Sequence, residues 1–227
     1  MSTNRLLQET FYDVRFTHPS TFLISGVSGS GKTFLTSSIL KAKNSCFKPE
    51  IPRYIILVYT SWQDVYQEWF EAGLIHLSLS EIPDAQSLKE ICSEHKDSGG
   101  SLIIFDDQLS NIDSRVSDIF TIHSHHLKIS VMLLVQRLFM PNTFFRTISL
   151  NTNYIILMKN TRDRISISQL ARQIFPYKTR FLVDSYIDAT TLPYTHLIID
   201  LRPETLDLFR LRANIFDECI TVYTQLQ

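Results

Sequence analysis

Six glycines serve 227 residues, and Gly26, Gly29 and Gly31 crowd into six positions. Glycine is the residue for positive φ and for close backbone approach, so this short stretch constrains the fold more than any other. Before it lies an apolar run, residues 21–25 (TFLIS), which reads as a buried strand. After it, residues 34–43 place Leu35 and Ile39 four apart, as a helix does. Gly26-Val27-Ser28-Gly29-Ser30-Gly31-Lys32-Thr33 therefore satisfies G-x-x-x-x-G-K-[ST] between a strand and a helix, the setting in which that spacing is a P-loop. Its backbone N–H groups would cradle a β-phosphate and Lys32 would reach the β/γ oxygens. The Thr33 hydroxyl would ligate Mg²⁺, so ATP and Mg²⁺ are the expected ligands.

Two further strand ends carry polar groups. Ser101-Leu102-Ile103-Ile104-Phe105 runs into Asp106-Asp107, the form of a Walker B strand. Asp106 is expected to join Thr33 in holding the metal with its water shell. Asp107, aimed differently one residue on, is expected to polarise the attacking water. The apolar run 130–135 ends in Gln136-Arg137, which makes Gln136 the expected sensor of the γ-phosphate. Arg146, Arg162 and Arg164 follow. Any of them could serve a neighbouring subunit as an arginine finger, and Arg146 leads because it precedes a strand.

Other strand-length apolar runs are 54–60, 75–79, 154–159 and 195–201. Most are continuous rather than alternating, as in strands covered on both faces. Helical spacing lies between them at Leu88, Ile91, Cys92, His95, at Val116, Ile119, Phe120, His123 and at Ile167, Leu170, Ala171, Ile174. Asp113 or Ser114 and Asp163 are the expected N-caps. Alternating strands and helices predict an α/β fold, a three-layer P-loop NTPase of the RecA/ASCE kind with a mainly parallel central sheet. The runs 195–201 and 208–216 predict a C-terminal antiparallel edge extension. Residues 1–227 are expected to form one domain, with a core at about 18–175 and the elaboration at about 176–227. The strands 54–60 and 75–79, in sequence between the P-loop and the acids, suit an ATPase better than a nucleotide or small-molecule kinase.

Composition excludes several alternatives. Twenty-two Lys and Arg against 23 Asp and Glu leave a net charge of −1, which rules out a uniformly basic nucleic-acid-binding body. Cys46, Cys92 and Cys219 have no C-x-x-C spacing, so neither a disulfide framework nor a zinc site is expected. His123, His125 and His126 lack a companion at ligand spacing, and Trp62 and Trp69 are read as core or interface residues. No apolar run approaches a membrane span, and Arg5, Glu9, Asp13 and Arg15 break up the N-terminus, so no signal peptide is expected.

The order of these motifs resembles the FtsK–HerA class of P-loop motor ATPases. Within it, His126-Leu127-Lys128-Ile129-Ser130-Val131, the turn Gln136-Arg137-Leu138-Phe139, and residues 146–159 with Ser149-Leu150-Asn151 are similar to genome-packaging ATPases of Polinton-like viruses, virophages and poxviruses. The resemblance covers about residues 18–175. It implies an ATP-driven double-stranded DNA translocase, a homo-oligomeric ring of five or six subunits whose sites are completed by neighbours. It also implies capsid or portal-vertex partners and a location inside the infected host cell, in cytoplasm or nucleus, or with the virion. The alternatives are a nucleotide or small-molecule kinase and an ATP-gated DNA-binding clamp or scaffold with slow turnover.

Overall fold

A computed structural model describes residues 13–107 and 112–224, with only the backbone of His125. In chain order, β1 (Phe16–Thr17) and β2 (Thr21–Ser25) lead through the glycine loop to α1 (Lys32–Lys41), α2 (Lys43–Cys46) and β3 (Phe47–Lys48). Next come β4 (Tyr54–Tyr59), α3 (Asp64–Glu71), β5 (Leu77–Leu79), α4 (Ala85–Ser93) and β6 (Ser101–Asp106). A helix then runs as α5 (Ser114–Asp118), a π turn at Ile119–His123 and α6 (Ser124–His126). It is followed by β7 (Ile129–Val135), α7 (Thr143–Leu150), β8 (Tyr154–Met158), α8 (Arg164–Ile174) and α9 (Thr179–Ala189). The chain closes on β9 (His196–Asp200), β10 (Leu211–Ala213) and β11 (Thr221–Tyr223).

The main sheet has the order β11-β10-β9-β8-β2-β7-β6-β4-β5. From β8 to β5 every pairing is parallel, and β9, β10 and β11 add antiparallel strands at the other edge. The strands read as unbroken apolar runs because successive residues enter two different cores. Leu23, Ile103, Phe105, Leu133 and Leu157 pack against α4, α5, α7, α8 and α9. Ile24, Leu102, Ile104, Leu134 and Ile156 pack with Leu35 and Ile39 of α1 and with Tyr66 and Trp69 of α3. Fully burying a side chain of this size contributes roughly 1.5–3 kcal/mol, so both helical layers are held by the same strands.

The mainly parallel sheet with its antiparallel edge extension is as expected, and Asp113 and Asp163 do cap α5 and α8. One detail differs. The run 208–216 pairs only at Leu211–Ala213, after the short helical turn Asp207–Phe209 and before Asn214, whose φ of 58° ends the strand. The strand 54–60 does lie in sequence between the P-loop and the acids, as β4; in the sheet it is β7 that stands between β2 and β6, and β4 lies beyond β6. Among the described residues no helix is long and apolar enough to cross a membrane.

Candidate active site

The glycine loop is shaped by what lies under it. The Gly26 N–H donates to the Val135 carbonyl at 3.0 Å, tying the loop to the end of β7. A Cβ at Gly26 would stand 2.4 Å from Ser30 Oγ and 2.6 Å from Met158 Cβ, so no larger residue fits. Gly31, at φ 98°, is the N-cap of α1 and supplies no side-chain acceptor. The first turn of α1 also has no acidic residue, which leaves its N–H groups and positive dipole end to an anion. Lys32 folds back over the loop, its Nζ donating to the Gly26 carbonyl at 2.8 Å and the Val27 carbonyl at 3.2 Å. Burial lowers its pKa, and the charges of Asp106 and Asp107 oppose that shift.

Strand parity aims the first acid. Asp106 follows Leu102 and Ile104 on the face of β6 toward α1 and α3, and it is 5% exposed. The Tyr66 hydroxyl of α3 donates to Asp106 Oδ2 at 2.8 Å, and Thr33 Oγ1 lies 3.5 Å from the same oxygen. Burial and the Asp106 charge push the Tyr66 hydroxyl above the ordinary tyrosine range, so it stays a proton donor. Asp107 departs from the strand at φ 57°, left-handed backbone that is uncommon outside glycine. Thr60 Oγ1 holds it by donating to its carbonyl at 2.8 Å. Its carboxylate is thereby exposed beside the loop instead of pointing into the opposite core.

A cavity of about 590 Å³ joins these parts, within the usual range for a small-molecule site. Ser28, Gly29, Gly31, Lys32 and Thr33 line one wall, and Asp106, Asp107 and Gln136 face them. Val27 and Gly26 contribute through their carbonyls, and Ser30 is buried beneath the loop. Arg146 is not brought there. It sits on the exposed side of α7, the helix that precedes β8, because Asn142 caps Phe145 N–H and Phe145 and Ile148 bury the other face. Arg162 and Arg164 are exposed at the start of α8. Sequence reading missed Tyr66, Gln63 and Tyr194, the last two of which also line the cavity. The spacing of Tyr66 and Trp69, three apart and both buried on α3, was the only available signal.

Thr33 and Asp106 together offer one hydroxyl and one carboxylate, hard oxygen donors on one side of the cavity. That set fits Mg²⁺, which keeps several waters and takes one or two carboxylates with substrate phosphates. Burial raises the Asp106 pKa, with Tyr66 and Lys32 opposing. For an acid shifted upward, the stability contribution is present below the ordinary carboxylate pKa and is lost as pH rises through the folded value. Burial of this acid therefore carries a cost that appears as pH rises above the ordinary carboxylate range. Asp106→Asn is expected to melt above the wild type near neutral pH, with the gap closing as pH falls through the carboxylate range. Its Mg²⁺-dependent turnover is expected to fall roughly 10²-fold or more. Melting curves across pH check the first part; an unchanged or lowered midpoint at neutral pH would contradict it.

The sequence matches no protein-family model and no curated protein. Solved structures do share the fold. The DNA-packaging ATPase B204 of Sulfolobus Turreted Icosahedral Virus is 16% identical, with a TM-score of 0.54 over 92% of this chain and 100% of that one. The cytoplasmic domain of the Thermomonospora curvata type VII secretion ATPase EccC is 14% identical, with a TM-score of 0.52 over 81% of this chain and 24% of that one. The chain thus shares the fold of these two ATPases, a mostly parallel sheet with antiparallel edge strands.

Proposed function

We propose that the chain is an ATP-driven double-stranded DNA translocase that packages a viral genome, working as an oligomeric ring. The observation that carries the ATPase part is the place of β7, which sets Gln136 between the P-loop and Asp106-Asp107 in one cavity. Lys32 and the α1 N–H groups bind the β- and γ-phosphates. Thr33 and Asp106 hold Mg²⁺, which when bound neutralises phosphate charge. Asp107 accepts a proton as a water oxygen bonds to the γ-phosphorus and the bond to the ADP oxygen breaks, giving ADP and inorganic phosphate. Gln136 orients that water and registers the γ-phosphate.

The packaging part is supported by the viral DNA-packaging ATPase that matches along its whole length, and by the motif order. The ring part is supported by the cations. Lys32 is the only Lys or Arg lining the cavity among the described residues, whereas Arg146 is exposed on α7, free to face a neighbour. A lone subunit would accordingly turn over slowly, as an ATP-gated clamp does. The test is ATP turnover with and without double-stranded DNA, alongside the mass of the assembly. Stimulation by DNA in an oligomer is expected, and Arg146→Ala subunits mixed with Lys32→Ala subunits should recover hydrolysis that neither has alone. A monomer at full rate, indifferent to DNA, would overturn the reading. If co-assembled mixtures stay inactive, Arg146 is not the finger.

A further inference from the structure

The end of the cavity away from the acids is aromatic. Tyr194 and Phe34 line it beside Gly31, and the two side chains are 61% and 69% exposed. Exposed aromatics are common, but Tyr194 is held in place. Its backbone sits at φ 64°, and of the four non-glycine residues at positive φ among those described, it and Asp107 line this cavity. Its ring lies against Gly31, where a Cβ would stand 3.0 Å from Tyr194 Cδ1 and 3.3 Å from its Cβ. The segment before β9 is tied down as well: Lys159 Nζ donates to the Thr191 carbonyl at 2.7 Å, and Thr195 Oγ1 to the Leu192 carbonyl at 2.8 Å. Antiparallel pairing of His196 with Met158 fixes where that segment meets the P-loop.

Accepting the nucleotide-binding reading above, the triphosphate has one direction. Its γ end belongs at Asp106, Asp107 and Gln136, so the nucleoside leaves on the Gly31 side, past Phe34, onto Tyr194. Phe34 and Gly31 have no side-chain donor or acceptor, and Gln63 stands with Tyr66 at the acid end. Among the described lining residues of the aromatic end, the Tyr194 hydroxyl is therefore the one side-chain donor or acceptor, and in a stacked ring it lies in a plane parallel to the base, out of line with the base's edge. We infer that Tyr194 is the stacking platform for the nucleobase, and that the site takes nucleoside triphosphates by the base's face without reading its edge, accepting ATP and GTP alike. Stacking is indifferent to base identity because every base has a π-face.

The test measures binding of ATP, GTP and inorganic tripolyphosphate to the full chain with Mg²⁺. Wild type is expected to bind ATP and GTP within about threefold of each other, and tripolyphosphate roughly 10- to 100-fold more weakly. Tyr194→Ala should lower both nucleotides to the tripolyphosphate level while leaving tripolyphosphate binding unchanged, and Tyr194→Phe should restore the wild-type pattern. Undiminished ATP binding by Tyr194→Ala, or a wild type preferring ATP over GTP by more than about tenfold, would overturn the inference. So would loss of tripolyphosphate binding in Tyr194→Ala, which would mean that the ring only props the P-loop. A wild type that binds neither ATP nor tripolyphosphate would instead remove the nucleotide reading itself.

Discussion

Asp200→Ala is expected to lose about 3–5 kcal/mol of folding stability, a large share of the roughly 5–15 kcal/mol of a whole domain. Asp200 and Arg212 are 0% exposed, and the Arg202 residue is 5% exposed. One carboxylate serves both cations: Asp200 Oδ2 accepts from Arg202 Nη2 and Arg212 Nη2, each at 2.8 Å, and Oδ1 accepts from Arg202 Nε at 3.0 Å. The network continues to the start of the fold, where Arg212 donates to the Val14 carbonyl at 2.9 Å and Arg202 to Thr17. Without Asp200, Arg212 is left at the β9–β10 pair with no ion-pair partner among the described residues, and Arg202 keeps only the exposed Glu204, 3.3 Å from its Nη1. Arg212→Met in the Asp200→Ala background removes one of the two guanidinium groups and should recover part of the loss. Urea unfolding of the single and double variants checks this. A loss below about 1 kcal/mol for Asp200→Ala would show the charges to be solvated or otherwise paired.

The P-loop, the acid pair and Gln136 were legible because each sits at a set distance from a strand end, and strand ends in a parallel sheet converge on one edge. Arg146 does precede a strand, β8, but the helix that Asn142 starts carries it, on an exposed face that no spacing in the sequence announces. Tyr66 reaches Asp106 across 40 residues through the packing of α3 on β6, where Trp69 Nε1 also donates to Ser37 of α1 at 3.0 Å. No spacing along the chain encodes that contact. Tyr194 meets Gly31 only because β9 runs antiparallel beside β8; that pairing depends on sheet register. The buried Asp200 network was invisible for the same reason, since a carboxylate ending an apolar run looks the same in sequence whether it meets water or two arginines.

The claim that this cavity hydrolyses ATP is tested most directly by measuring ATP affinity and phosphate release together on wild type, Lys32→Ala and Asp107→Asn. Lys32 supplies the one cation lining the cavity among the described residues. Charge-assisted hydrogen bonds contribute about 1.5–3 kcal/mol each, so Lys32→Ala should weaken ATP by roughly 10²-fold or more and lose turnover with it. Asp107 is exposed at the rim, held by its backbone to Thr60 and apart from the Thr33–Asp106 pair. Asp107→Asn should therefore bind Mg²⁺·ATP like the wild type and release phosphate roughly 10²-fold more slowly. Binding and turnover falling together in Asp107→Asn would move that carboxylate to the metal. Wild-type phosphate release by Lys32→Ala, or none by the wild type itself, would contradict the account.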